Sequence, residues 1–186
     1  MDKKDREKWS PGGKTMVKVF LVEDEAIIRH GIRDNIDWAS HGFEFAGEAG
    51  DGEYAYPLIL KAQPDILVTD IKMPFMDGLE LSRLVKKTLP RTRIIVLSGY
   101  NEFEYAKEAI KIGVEEYLLK PISSNVLLEH LGEVASKIHE KQKEYEQRER
   151  RIREMREKYL SFQKKDRDDN INSIKSSDAD FDINSV

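Results

Sequence analysis

The sequence predicts an α/β fold in which five parallel strands form one doubly wound sheet. Five short apolar runs are typical of buried strands, and amphipathic stretches with helical periodicity separate them. Strands that alternate with helices at this spacing predict βαβ units with right-handed crossovers, and therefore a parallel sheet. The predicted strands are Val17–Val22, Phe43–Ala49, Ile66–Thr69, Ile94–Leu97 and Tyr117–Leu119, and the predicted helices are Glu25–Trp38, Glu53–Ala62, Leu79–Thr88, Glu102–Ile112 and one from about Ser124.

Local residues support the ends of these elements. The third run closes on Asp70, and the Pro74 and Asp77-Gly78 that follow indicate a loop. The fourth helix carries apolar residues at helical spacing, and Gly113 behind it is a plausible C-cap.

Composition excludes several classes of function. The 186 residues suit one ordinary domain with additional segments. The chain has no cysteine, which excludes a disulfide framework and a cysteine-based zinc site, and its net charge of −4 gives no overall footprint of nucleic-acid binding. No apolar stretch is long enough to span a membrane and no secretory signal is present, so we expect a cytoplasmic protein without a membrane partner.

The chain divides into four predicted segments. Residues 1–15 are polar around Pro11-Gly12-Gly13 and predict a disordered arm, with a functional N-terminal peptide as the alternative. Residues 16–136 hold the α/β domain, 137–163 a helical linker or coiled coil, and 164–186 a tail rich in Asp, Asn and Ser that predicts disorder.

The predicted coiled coil depends on a seven-residue repeat that begins in the closing helix. Two residues of the seam are charged, and a solvated single helix or straight linker is the alternative to a dimeric coiled coil. The seam consists of Leu127, Leu131, Val134, Ile138, Lys141, Tyr145, Arg148, Ile152, Met155, Tyr159 and Phe162.

Chemically active side chains follow the predicted strands. Glu23 and Asp24 follow the first strand, Asp70 ends the third, Ser98 ends the fourth, and Lys120 follows the fifth. Because open α/β sheets bind ligands at the carboxyl ends of their strands, we expect these groups to meet. Oxygen ligands at this density suit Mg²⁺, and an incoming phosphoryl group would find a nucleophile in the Asp70 carboxylate and donors in Ser98 and Lys120.

Over about residues 17–135 the chain resembles the receiver domains of response regulators in two-component signalling. The resemblance is carried by Val22-Glu23-Asp24-Glu25, Asp70-Ile71-Lys72-Met73-Pro74 with Met76-Asp77-Gly78, Leu97-Ser98-Gly99-Tyr100, and Tyr117-Leu118-Leu119-Lys120-Pro121. It implies a flavodoxin-like fold and a phosphoacceptor regulator that catalyses only its own phosphorylation and dephosphorylation, not an enzyme acting on a separate substrate.

The same resemblance implies a role for each site residue. Asp70 would accept a phosphoryl group from a sensor histidine kinase. Mg²⁺ would be held by Asp24, Asp70 and the backbone carbonyl of Lys72, with Glu23 acting through water. Lys120 would pair with the phosphoryl group, the Lys120–Pro121 peptide bond would be cis, and Ser98, Tyr117 and Pro121 would belong to the switch that remodels the face around helix four and strand five.

Three residues bear on details of this chemistry. Glu23 stands where many receiver domains have Asp, which puts the Mg²⁺ affinity in question. Lys72 and Tyr100 flank the predicted entrance, and our hypothesis is that they slow the attack of water on the phosphorylated aspartate.

Residues 97–110 resemble the receivers of AraC-type transcription factors, which carry a DNA-binding domain beyond a helical linker. No helix-turn-helix pattern follows Phe162. We therefore expect DNA contact only through a C-terminal output domain outside this chain, and a truncated regulator is favoured over one without such a domain. The predicted coiled coil implies a homodimer. The alternative is a stand-alone or structural coiled-coil dimer module with the same fold.

Two rival α/β families fit less well. A haloacid-dehalogenase phosphatase needs a second acid two residues after its nucleophile, where this chain has Lys72. A flavodoxin needs a phosphate loop after the first strand, where this chain has three acidic residues. The four histidines show no metal-ligand spacing.

Overall fold

The computed structural model describes residues 16–99 and 103–179, which form two units that divide between Ser136 and Lys137. The predicted arm at residues 1–15, the residues Tyr100 to Glu102, and the end of the predicted tail at 180–186 lie outside the described residues. Strands and helices alternate as β1 Val17–Val22, α1 Ala26–Asn35, β2 Phe43–Ala49, α2 Gly52–Ala62, β3 Ile66–Asp70, α3 Gly78–Thr88, β4 Arg93–Ser98, α4 Phe103–Ile112, β5 Glu116–Leu119 and α5 Ser124–Ala179.

The sheet has the predicted architecture. Its five strands lie in the order β2-β1-β3-β4-β5, and every described pair is parallel. All five residues of β3 are buried, because β3 is the central strand with helices on both faces. Strand β2 lies on one side of β1 and β3 on the other, so the strand order changes direction between β1 and β3. Parallel sheets of this kind form a ligand crevice at the carboxyl ends of such a pair. The predicted fold class is therefore confirmed.

Helix α1 ends earlier than the sequence predicted. The predicted helix ran to Trp38, but α1 ends at Asn35 and Ile36 is extended. Both Ile36 and Trp38 are buried in the connection, where the Trp38 indole packs 5.0 Å from the Phe45 ring and donates a hydrogen bond to the Arg33 carbonyl. An apolar pair that packs from a loop cannot be distinguished by periodicity from the last turn of a helix.

Helix α5 is longer than predicted and uses part of the seven-residue repeat within its own domain. Leu127, Leu131 and Val134 are fully buried in the unit that ends at Ser136, so these seam positions serve the domain core. The same three- and four-residue spacing is typical of any amphipathic helix that packs on a domain, so the repeat runs without a break from the domain predicted at 16–136 into the segment predicted at 137–163.

Beyond the domain, the helix continues through Ala179, where the sequence predicted disorder from residue 164. No Gly or Pro follows Gly132 before that point, so no residue breaks the backbone hydrogen bonds. Within the part of the chain that the structure describes, every helix is too short or too polar to cross a lipid bilayer.

Candidate phosphoacceptor site

The five predicted side chains lie at the carboxyl edge of the sheet because each ends or directly follows a strand. Backbone hydrogen bonds hold the strand ends in register: Glu23 N–H donates to the Ala49 carbonyl, Ile71 N–H to Leu97, and Lys120 N–H to Ser98, over 3.1, 3.1 and 2.7 Å. Asp70 ends the central strand, so it lies between the acids after β1 and Ser98 at the end of β4. The sheet topology thus brings together residues that are up to 97 positions apart in the chain.

Lys120 connects two of the three acids. Its Nζ donates to Asp70 Oδ2 at 2.8 Å and to Glu23 Oε1 at 3.0 Å. It also lies 2.7 Å from Glu23 Oε2, as an ion pair without hydrogen-bond geometry. The Glu23 side chain is fully buried and that of Lys120 is 14% exposed, so solvent screens this charge network weakly.

Burial and pairing shift the pKa values of both partners. Burial raises the pKa of Glu23 above its ordinary value of 4.5, although the hydrogen bond and charge of Lys120 favour the ionised form. Burial also opposes the charged form of Lys120, but its hydrogen bonds to Asp70 and Glu23 outweigh that effect and raise the pKa of the ammonium. Lys120 is therefore a permanent cation at neutral pH.

The loop after β3 fixes the second oxygen of Asp70. The Ile71 N–H donates to Asp70 Oδ1 at 2.7 Å, while Thr69 Oγ1 donates to the Asp70 carbonyl at 2.9 Å. Gly78 packs directly against this backbone, since a Cβ placed on it would come within 1.8 Å of the Asp70 carbonyl oxygen. The Asp-Gly pair that indicated a loop in the sequence is thus also a place of close backbone approach.

The acids lie at a small cavity that has the composition of a cation site. One carboxylate oxygen each of Glu23, Asp24 and Asp70 lie within 4.8 Å of one another, and Asp24 is the exposed member. The cavity beside them has a volume of about 220 Å³. Its walls come from the carboxyl ends of four strands and the residues that follow them, and consist of Asp24, Glu25, Asp70, Ile71, Lys72, Ser98, Gly99 and Lys120. Clustered carboxylate oxygens are the ligand type that Mg²⁺ prefers, so the donor set fits this ion.

The remaining predicted residues surround the same edge. Ser98 is buried and Tyr117 is half-buried against the core, with Tyr117 paired to Val96 in the β4–β5 register. The Lys120–Pro121 peptide bond is cis, as the resemblance implied. The exposed Lys72 ammonium lies 5.7 Å from the centre of the Tyr105 ring, and Tyr100 lies outside the described residues.

Sequence reasoning missed a supporting layer on α1 and β2. Arg29 Nη1 donates to the backbone carbonyls of Glu23 and Asp24, over 2.6 and 3.4 Å, and its Nε lies 3.5 Å from Glu48 Oε1. Neither residue belongs to a motif that the sequence displayed. The only available indication was the position of Arg29 one turn into the helix that follows the acids.

Comparison with known proteins identifies the family. The model of the response regulator receiver domain matches residues 19–132, which is more than half of the chain. The chain belongs to the response regulator receiver domain family. This match covers the sheet and the site described above, and it confirms the resemblance found in the sequence.

Individual relatives agree with this assignment. The chain is 46% identical over 123 residues to the uncharacterized transcriptional regulatory protein YesN of Bacillus subtilis, a match that covers 66% of this chain and 33% of the relative. It is 38% identical over 127 residues to the transcriptional regulatory protein HptR of Staphylococcus aureus, covering 68% of this chain and 50% of the relative. The chain therefore spans between a third and a half of the length of these curated relatives.

Solved structures support the likeness to AraC-type receivers. The receiver domain of AraT, a response regulator from Geobacillus stearothermophilus, is 45% identical with a TM-score of 0.64, over 68% of this chain and 98% of that one. A two-component transcriptional regulator AraC from Clostridium phytofermentans is 31% identical with a TM-score of 0.60, over 69% of this chain and 98% of that one.

Proposed function

We propose that this receiver domain is a phosphorylation-activated switch in which Asp70 accepts a phosphoryl group from a phosphohistidine of a sensor histidine kinase. The observation that carries the proposal is the pairing of Lys120 with both Asp70 and Glu23 beside an open cavity. A buried cation held by two acids is costly as a purely structural device, whereas a site that receives a dianionic group needs it.

The side chains present suit each part of the transfer. A carboxylate oxygen of Asp70 attacks phosphorus, the phosphorus–nitrogen bond to the kinase histidine breaks, and its electron pair returns to the imidazole. The negative charge then lies on the phosphoryl oxygens, where the Lys120 ammonium and the Ser98 hydroxyl stabilise it. Only one phosphoryl group is transferred per site, so the domain acts as a phosphoacceptor and not as a turnover enzyme.

Magnesium is the cofactor that the acid cluster supports. Asp24, Asp70 and the Lys72 backbone carbonyl would hold the ion, and Glu23 would contact one of its waters. When bound, Mg²⁺ would supply positive charge to the phosphoryl oxygens. Asp24 is the exposed acid of the cluster, so it is the ligand that solvent ions reach first.

Phosphorylation by a small donor tests this assignment. We expect acetyl phosphate with Mg²⁺ to add one phosphoryl group to the wild-type chain in intact-mass spectrometry, and hydroxylamine to remove it because acyl phosphates are labile to that reagent. Asp70→Asn should show no adduct, and chelation of Mg²⁺ should prevent labelling.

Asp77→Asn provides a matched control. Asp77 lies seven positions further on and caps α3 through a 2.7 Å hydrogen bond from Glu80 N–H, a role that Asn also fills. This variant should be labelled like the wild type. An adduct that persists in Asp70→Asn, or an unlabelled wild type, would refute the proposal.

The output that best fits the relatives is control of transcription by the full-length protein. YesN and HptR are both named as transcriptional regulatory proteins, which supports DNA contact through an output domain beyond the receiver. We infer that phosphorylation acts through Ser98 and Tyr117 on the face around α4 and β5. We expect a protein with this role to be cytoplasmic.

The second unit supports pairing between two copies of the chain. Its helix carries apolar seam residues that are half or more exposed: Tyr145, Ile152, Met155, Tyr159 and Phe162. Large apolar side chains at seven-residue spacing on one helix are typical of a coiled coil. We propose that this segment, and not the part of the repeat before Ser136, forms a homodimer.

A further inference from the structure

Arg29 binds the backbone of the loop that carries two of the acids. Its Nη1 donates to the carbonyl of Glu23 at 2.6 Å and reaches that of Asp24 at 3.4 Å. These are consecutive peptide units between β1 and α1, so one guanidinium fixes the orientation of both. Among the described side chains, Arg29 is the one that donates to both of these carbonyls.

Glu48 on β2 holds the other side of the guanidinium. Its Oε1 lies 3.5 Å from Arg29 Nε, accepts a hydrogen bond from Arg33 Nη1 at 3.1 Å, and lies 3.6 Å from His30 Nε2. The Arg29 and Glu48 side chains are 16% and 20% exposed. Gly50 leaves room for the group, since a Cβ there would lie 3.3 Å from Arg29 Nη1.

We propose that Arg29, oriented by Glu48, is a positioning residue for the cation site. The inference rests on the proposed function, because the acids that it orients are those assigned to Mg²⁺. A peptide unit that is held at its carbonyl oxygen fixes the direction of the neighbouring Cα–Cβ bonds. Arg29 therefore aims the carboxylates of Glu23 and Asp24 without contacting either of them.

The charge of Arg29 and its proposed positioning role predict opposite effects of its removal on the Mg²⁺ affinity. A guanidinium near the site repels Mg²⁺, so on charge alone its loss should tighten binding. Positioning predicts weaker binding, because the acids lose their fixed geometry. Loss of an outer group that orients metal ligands typically lowers affinity by about 10- to 100-fold.

Titration calorimetry with Mg²⁺ in the absence of any phosphoryl donor separates these effects. We expect Arg29→Ala to bind Mg²⁺ about 10-fold more weakly than the wild type. Arg29→Lys keeps the charge without the guanidinium fork and should fall between them. Glu48→Gln should show a smaller loss in the same direction, because Arg29 keeps its carbonyl contacts.

Arg33→Ala is the matched control. Arg33 also lies on α1 and also binds Glu48, but no described hydrogen bond joins it to the loop carbonyls. Its Mg²⁺ affinity should stay within roughly twofold of the wild type. Thermal unfolding of each variant reports whether the domain remains folded, and Arg29→Lys retains the test if Arg29→Ala does not fold.

Each outcome has a distinct consequence. If Arg29→Ala binds Mg²⁺ equally well or more tightly, or if Arg33→Ala weakens binding as much, the positioning role is wrong. If the wild type binds Mg²⁺ and Asp70→Asn does not, while Arg29→Ala matches the wild type, only this inference fails. If the wild type binds no Mg²⁺, both the proposed cofactor and the positioning role of Arg29 are wrong.

Discussion

Replacement of Lys120 by Met should destabilise the domain in a strongly pH-dependent way. The change keeps most of the unbranched apolar stem of the side chain but leaves the fully buried Glu23 without its cation. A buried carboxyl group can avoid ionisation by binding a proton, which costs about 1.4 kcal/mol for each pH unit above its unfolded pKa. With an ordinary pKa of 4.5, that limit is about 3 kcal/mol at pH 7 and less than about 1 kcal/mol at pH 5.

The sign follows from the direction of the pKa shift. Burial raises the pKa of Glu23 in the folded state, so the folded variant holds a proton that the unfolded chain releases. Its stability therefore falls as the pH rises from the ordinary value of 4.5 towards the raised folded pKa. Because the wild type already bears part of this cost, we expect a loss of about 2–3 kcal/mol at pH 7 for Lys120→Met.

Urea unfolding at pH 5 and pH 7 measures the effect, and a double-mutant cycle assigns it. Glu23→Gln combined with Lys120→Met should regain most of the lost free energy of unfolding, since the buried charge is then removed. Lys87→Met replaces an exposed lysine on α3 and should change stability by less than about 0.5 kcal/mol. A loss below about 1 kcal/mol at pH 7, or an equal loss at both pH values, would contradict the reasoning.

Two further changes test the loop after β3 and the second unit. Gly78→Ala should lower the free energy of unfolding by more than about 2 kcal/mol in urea titration, because the added Cβ would lie 1.8 Å from the Asp70 carbonyl oxygen. A stability like that of the wild type would show that the loop accommodates the methyl group. Ile152→Glu should abolish self-association in sedimentation equilibrium without changing the unfolding of the first unit, since it places a charge in an apolar seam. The exposed substitution Arg153→Glu, outside the seam, should leave association intact.

The strands and their end residues were predictable because each carries its own local evidence. A buried strand of a parallel sheet is a short apolar run, and a charged residue at its end stands out against that run. Parallel pairing then forces the ends of β1, β3, β4 and β5 to one edge. This is why the sequence alone predicts that Asp70, Ser98 and Lys120 lie together.

The features that were missed depend on what an element packs against. Leu127 and Val134 have the spacing of a coiled-coil seam, but their burial is decided by what this helix packs against within the domain. Trp38 continues a helical apolar pattern although it packs from a loop. Arg29 acts through backbone carbonyls, and a contact with backbone leaves no complementary residue type in the sequence.

Lys120 links the stability of the domain to its proposed chemistry, and its two partners differ in what they require. Glu23 is fully buried, so its ionised form needs the ammonium at neutral pH. Asp70 shares only Oδ2 with Lys120, while Oδ1 accepts the Ile71 N–H. When a phosphoryl group is attached to Asp70, the negative charge moves from the Asp70 carboxylate to the phosphoryl oxygens. The Lys120 ammonium can then contact the phosphoryl oxygens while it keeps its hydrogen bond to Glu23. The double variant Glu23→Gln with Lys120→Met should therefore regain stability without regaining normal phosphorylation.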